Sequence, residues 1–280
     1  MLRPILFIIT ILWSCISFAA PALHYKPPSE YPEAKARIGQ AFELREMDEG
    51  LIKYAYKLSE KPKFSLDNLS YEKFHGKRGK VIDIVSDGSG SVMTGYFWQI
   101  EIEGEKYYAR WIPVVPDYLE SSYFLGDLDL ATKLTGKKIW VVKQKLITPE
   151  KEIQVRVGHL DEVEVIGIDT KSYGHGFDGA SPFWFRIKTA DGKEGLVPYD
   201  KRFFFIEDPI KQSWNPAIIE AIRSRNIKLG MTPEQVRLSW GNPERINRTV
   251  AANTVLEQWI YGRQYLYIEN GKVRSFQDSR

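Results

Sequence analysis

The chain has 280 residues, 43% of them apolar, and 39 basic against 36 acidic residues leave a formal net charge of only +3. That length suffices for two or three small domains and the apolar content excludes wholesale disorder. The interspersed charges lack the basic face that nucleic-acid binding needs, so no nucleic-acid partner is expected.

The first residues read as an export signal. Arg3 is a short basic head, residues 5–13 are an apolar run, and Ser17-Phe18-Ala19 fits a small-x-small cleavage site. A signal peptide over 1–19 is therefore predicted, with a mature chain from Ala20. The run falls short of the roughly 20 apolar residues a membrane-spanning helix needs, and no later segment reaches that length without charges. A second reading takes Leu12-Trp13-Ser14-Cys15 as a lipobox with Cys15 acylated. Both readings place the protein outside the cytoplasm, in the periplasm or on the outer membrane. Cys15 is the sole cysteine, so no disulfide or thiolate metal site is available beyond it.

Residues 20–70 read as a proline-rich spacer and an N-terminal helical segment. Ile38, Ala41, Leu44, Met47, Leu51, Ala55 and Leu58 recur at spacings of three and four, which predicts a helix over 33–58. Lys61-Pro62 ends it. Residues 71–146 turn strand-like, with a flexible loop at Asp87–Ser91 and a hairpin turning at Glu103-Gly104. The scheme returns over 153–209, with a hairpin turning at Asp191-Gly192. Setting Phe97-Trp98 against Phe183-Trp184 aligns the two stretches, each followed by alternation, a glycine turn, a lysine and a return strand. Two copies of one small β-barrel are expected. The stretch Asp191-Gly192-Lys193-Glu194-Gly195-Leu196-Val197-Pro198 resembles the turn of bacterial SH3-like domains, which often bind peptidoglycan peptides.

The final unit spans 213–280. Asn215-Pro216 caps one helix, which carries Ile218, Ile219 and Ile222 on one face. A second helix has Thr232 at its N-cap, Pro233 at N1 and Gln235 at N3, the pattern of a capping box. Met231 and Val236 make a hydrophobic staple, Gly241 is expected to end the helix in the left-handed conformation, and Pro243 bars its resumption. Strands follow, the last folding back at Asn270-Gly271. The string of Leu229, Gly230, Met231, Thr232, Val236, Trp240, Gly241 and Pro243, with Glu257-Gln258-Trp259 and Tyr265-Leu266-Tyr267 after it, resembles the SmpA/OmlA (BamE-like) domain. That resemblance implies an ααβββ unit of bacterial envelope proteins, some of which assist the β-barrel assembly machinery. The same fold occurs in secreted inhibitors of β-lactamase. The predicted architecture is multidomain and mainly β with α+β, two small SH3-like β-barrels followed by a C-terminal BamE-like unit.

Reactive constellations are not found. His24, His75, His159 and His175 show no metal-ligand spacing, and His175 with Asp178 reads as a solvated glycine loop. Glu101, Glu103 and Glu105 alternate onto the outer face of a hairpin, and the 87–91 loop lacks the lysine of a phosphate loop. No catalytic residue, metal or cofactor is expected. Exposed aromatic residues mark binding faces, and Trp184, Trp240, Trp259, Tyr261, Tyr265 and Tyr267 are the candidates. Three functions fit: an adaptor binding envelope proteins, such as the barrel assembly machinery; a peptidoglycan-binding protein; or an inhibitor or sensor of a periplasmic enzyme.

Overall fold

The computed structural model describes residues 26–47, 49–54, 58–63, 69, 71–91, 94–113, 119–142, 145–148, 155–171, 181–251 and 254–278. Residues 1–25, with Cys15 and His24, and residues 172–180, with His175 and Asp178, lie outside the described residues. The fold is mainly β, built from several antiparallel sheets with short helices around them.

The helix expected over 33–58 is not formed. In its place stand one α-helical turn, α1 (Pro32–Lys35), then β1 (Ala41–Leu44), then a six-residue 3-10 helix over Glu49–Tyr54. Gly39 breaks the helix with φ at 84° and donates its backbone N–H to Val81 O. Beyond it Phe42 and Leu44 are both fully buried, so period two prevails over period 3.6. The helical spacing had passed over Phe42, which carries the burial.

The first sheet continues through β2 (Leu58–Ser59), β3 (Arg78–Ser86), β4 (Tyr96–Ile102), β5 (Glu105–Arg110) and β6 (Ser122–Phe124), with the short α2 (Tyr71–Phe74) before β3. Its order is β2-β5-β4-β3-β1-β6. Phe42, Val81, Trp98, Ile100 and Trp111 fill its core. After α3 (Leu125–Thr132) come β7 (Lys138–Val141), the ribbon β8 (Lys145–Leu146) and β9 (Val155–Arg156), then β10 (Asp161–Asp169), β11 (Trp184–Lys188), β12 (Glu194–Pro198) and β13 (Phe204–Phe205). The second sheet runs β12-β11-β10-β7-β13. Lys138–Val141 falls inside the range expected for the first barrel, yet β7 pairs with β10 and β13 and opens the second sheet.

The two sheets share one connectivity. In each, the first strand is followed by a long connection that carries short elements of its own, then a three-stranded meander, and a short last strand returns beside the first. Each also carries a bulge at the same place in its second strand, between Val81 and Asp83 and between Val165 and Gly167. The pairings Val81↔Ile100 and Ile84↔Trp98 correspond to Val165↔Ile187 and Ile168↔Phe185. Trp98 is thus equivalent to Phe185, not to Trp184, and the Phe-Trp to Phe-Trp alignment of the sequences is slipped by one residue. A slip of one exchanges the faces of a strand. Accordingly Trp98 and Phe185 sit in the two main cores, while Trp184 packs behind its sheet with Leu196 and Ile147.

The last unit comprises α4 (Pro216–Arg223), α5 (Pro233–Trp240) and the meander β14 (Arg245–Ala251), β15 (Thr254–Tyr261), β16 (Gln264–Glu269) and β17 (Lys272–Asp278). The capping box is present, with Thr232 N–H donating to Gln235 Oε1 at 2.8 Å and Gln235 N–H to Thr232 Oγ1 at 3.3 Å. Met231 and Val236 are fully buried. Gly241 departs from expectation: with φ 85° and ψ −166° it occupies the mirror-extended region, not the left-handed helical one. Only glycine takes that conformation readily.

The units interlock. Arg45, buried at the end of β1, donates through Nη1 to Ser181 O at 2.6 Å and Pro182 O at 3.1 Å ahead of β11. Tyr123 of β6 packs edge-on against Phe183 and belongs to the second core. On the other side, the His159-Leu160 turn enters the C-terminal unit. Leu160 is fully buried with Ile222, Met231, Val236 and Trp259 although its backbone is left-handed, with φ 61°. His159 Nε2 lies 2.6 Å from Leu238 O of α5.

Candidate functional site

The six aromatic residues singled out in the sequence do not form one face. Trp184 and Trp259 are 2% and 1% exposed, so both are core residues and are removed from the binding surface. The reason for Trp259 lies in strand alternation. It faces α5 with Leu266 as its cross-strand partner, and the Arg237 guanidinium stacks 4.4 Å from its ring centroid. Its Nε1–H donates to Glu257 Oε2 at 2.9 Å.

Trp240 and Tyr261 meet at the end of α5, edge to face with centroids 5.4 Å apart. Trp240 Nε1 donates to Arg225 O at 2.9 Å, and the Tyr261 hydroxyl donates to Gly241 O at 2.9 Å. Burial pushes the Tyr261 hydroxyl up to about 12, against the opposing pull of Arg237. With both polar tips satisfied by backbone carbonyls, the rings are fixed in place. Together with the exposed Arg225 and Gln264 they line a shallow concavity of about 270 Å³. Arg, Trp and Tyr are the side chains that most often anchor protein interfaces.

Tyr265 and Tyr267 point away from the helices, because β16 alternates and Leu266 and Ile268 take the core side. Among the described residues, the helices α4 and α5 pack on the opposite face of the four-stranded sheet and none packs on this one. Across it runs a row of side-chain hydrogen bonds that the sequence reading missed. Asn247 Nδ2 donates to Gln258 Oε1 at 3.0 Å, Gln258 Nε2 to the Tyr267 hydroxyl at 3.3 Å, and that hydroxyl to Gln277 Oε1 at 3.3 Å. The row takes one residue from each of β14, β15, β16 and β17. The pairings Asn247↔Gln258 and Gln258↔Tyr267 bring the first three opposite one another, and Tyr265↔Gln277 brings β17 to the row. A concavity of about 330 Å³ lies on this row, lined by Asn247, Thr249, Leu256, Gln258, Tyr267 and Arg274 among others. Register, unavailable from one strand at a time, would have been the signal for it.

Among the described residues no group of three or more His, Cys, Asp or Glu side chains is placed to hold a metal ion. No helix among them is long and apolar enough to cross a membrane. No family model, curated protein or solved structure matches the chain.

Proposed function

We propose that this protein is a non-enzymatic adaptor of the bacterial cell envelope, exported and acting at the periplasmic face of the outer membrane. In this reading the two sheets of common connectivity are SH3-like units. Their common connectivity, with the last strand returning beside the first, supports that reading. The ααβ meander that follows is a BamE-like unit, and its docking surface is the concavity of Arg225, Trp240, Tyr261 and Gln264. That cluster carries the proposal: two fixed aromatic rings beside an exposed guanidinium have the composition of an interface anchor. The partners are envelope proteins, the β-barrel assembly machinery first among them.

The test is affinity capture of tagged full-length protein from mildly crosslinked cells. Barrel-assembly components should be enriched, and Arg225→Glu should abolish their enrichment while leaving the protein folded. Enrichment of muropeptides instead would move the function to the repeated sheets and peptidoglycan. No specific enrichment would sink the adaptor reading. Inhibition or sensing of a periplasmic enzyme retains support from one observation, the concavity on the face of the C-terminal sheet that carries Tyr267.

A further inference from the structure

The helix-free face of the C-terminal sheet is distinct from the surface assigned to the adaptor role, and its chemistry is different. Its concavity is floored by the Leu256 side chain, which is 45% exposed, and the ring of Tyr267. Around that apolar floor stand Asn247, Thr249 and Gln258, with Gln277 extending the hydrogen-bonded row. The lining charges are paired: Arg274 Nε lies 3.2 Å from Glu269, and Glu257 accepts from Trp259 and lies 3.7 Å from Arg248.

We infer that this face is a binding site for an uncharged oligosaccharide. Its donor and acceptor capacity matches such a ligand. In the row every proton is donated in one direction, from Asn247 through Gln258 and Tyr267 to Gln277. Each amide keeps a second N–H and free carbonyl lone pairs, so donors and acceptors alternate along the face. Sugar hydroxyls both donate and accept, and they come in rows beside an apolar C–H surface. The Leu256 and Tyr267 floor meets that surface. An anionic ligand would meet two lining carboxylates, Glu257 and Glu269, against one guanidinium, Arg274. An extended peptide binds sheets at an edge, where backbone groups are free, whereas the backbone at the centre of this face is already paired. The volume of about 330 Å³ reaches the range of small-ligand sites. Two sources share this chemistry, an amino-sugar glycan of the cell wall and a plain hexose polymer.

The experiment is saturation-transfer NMR and calorimetric titration of the full-length chain with chitotetraose and with maltotetraose. Binding of at least one at millimolar concentration is expected. Chitotetraose binding more tightly would assign the site to N-acetylated wall glycan, and maltotetraose to plain glucan. Asn247→Ala and Gln258→Ala should each weaken binding about five- to tenfold, the loss expected for one or two hydrogen bonds. Tyr267→Phe keeps the floor and removes the hydroxyl, so it should weaken binding with unchanged thermal unfolding. Absence of binding to both sugars overturns the inference. So does binding that all three variants leave intact, or a neutral tetrapeptide that competes for the same face. Arg225→Glu should leave sugar binding unaltered, so the two proposals fail separately.

Discussion

Gly79 shows how little slack the first core has. A Cβ at this position would come within 2.6 Å of Glu101 O and of Phe42 Cζ, one a backbone atom in the neighbouring strand and the other a fully buried ring. Gly79→Ala should therefore destabilise by about 1–3 kcal/mol, read as a lower urea midpoint with an unchanged slope. An unchanged midpoint would mean that the strand pair opens freely. Thr232 is a gentler case. Its side chain satisfies one backbone N–H at the start of α5, so Thr232→Ala should cost about 1 kcal/mol and Thr232→Asp much less. Equal losses in both variants would count against the cap. This cap was legible in the sequence because every atom in it lies within four residues. The roles of Trp184 and Trp259 were not, since which side of a strand is inward depends on partners far along the chain.

At the scale of elements, local signals succeeded and long-range ones misled. The α4 and α5 boundaries and the Asn270-Gly271 turn follow from caps and turn residues. The mainly β character was readable from alternation. The failures share a cause. β1 is four residues long and held by β3 on one side and β6 on the other, so its state is decided by tertiary pairing. β7 stands next to the first sheet in sequence but pairs across to β10. The Phe-Trp alignment was wrong by one in register, because Phe183, Trp184 and Phe185 stand in succession and an aromatic pair matches them in either register. Gly195 illustrates the divergence. It occupies the place of Tyr107 in the first sheet, and a Cβ there would stand 3.2 Å from Leu146 Cβ of the β8-β9 ribbon. The second copy thus fills with a ribbon the volume that the first fills with a ring.

Over the whole molecule, the His159-Leu160 turn ties the second sheet to the C-terminal unit. Leu160→Ala should cost about 2–4 kcal/mol from lost packing alone, because alanine keeps the Cβ that strains the left-handed backbone. Limited proteolysis should then cleave faster between residues 206 and 215. Unchanged cleavage would show that the contact is passive. His159 adds a pH dependence. Burial holds its imidazole below the ordinary histidine value, Arg225 and Arg223 lower it further, and the carbonyls of Leu238 and Val142 oppose them. Above the ordinary value both folded and unfolded chains carry a neutral ring. As pH falls through about 6.5 the unfolded chain takes up the proton first, so stability declines until the folded value is passed. Urea midpoints at pH 7.5 and 5.5 should differ in that sense, and His159→Gln should flatten the difference. A slope unaltered by the substitution would assign it to other groups.

Leu160 also sets an order of events. The C-terminal core contains a side chain made some fifty residues before α4 begins, on a strand-linking turn of the preceding sheet. Synthesis from the N-terminus delivers that plug first, already presented by the sheet behind it. The last unit then has a preformed side chain to pack against. A fragment beginning at residue 213 would fold around a hole, with its helices loosely seated and its bare sheet face poorly shaped. Any assay of that face belongs on the full-length chain.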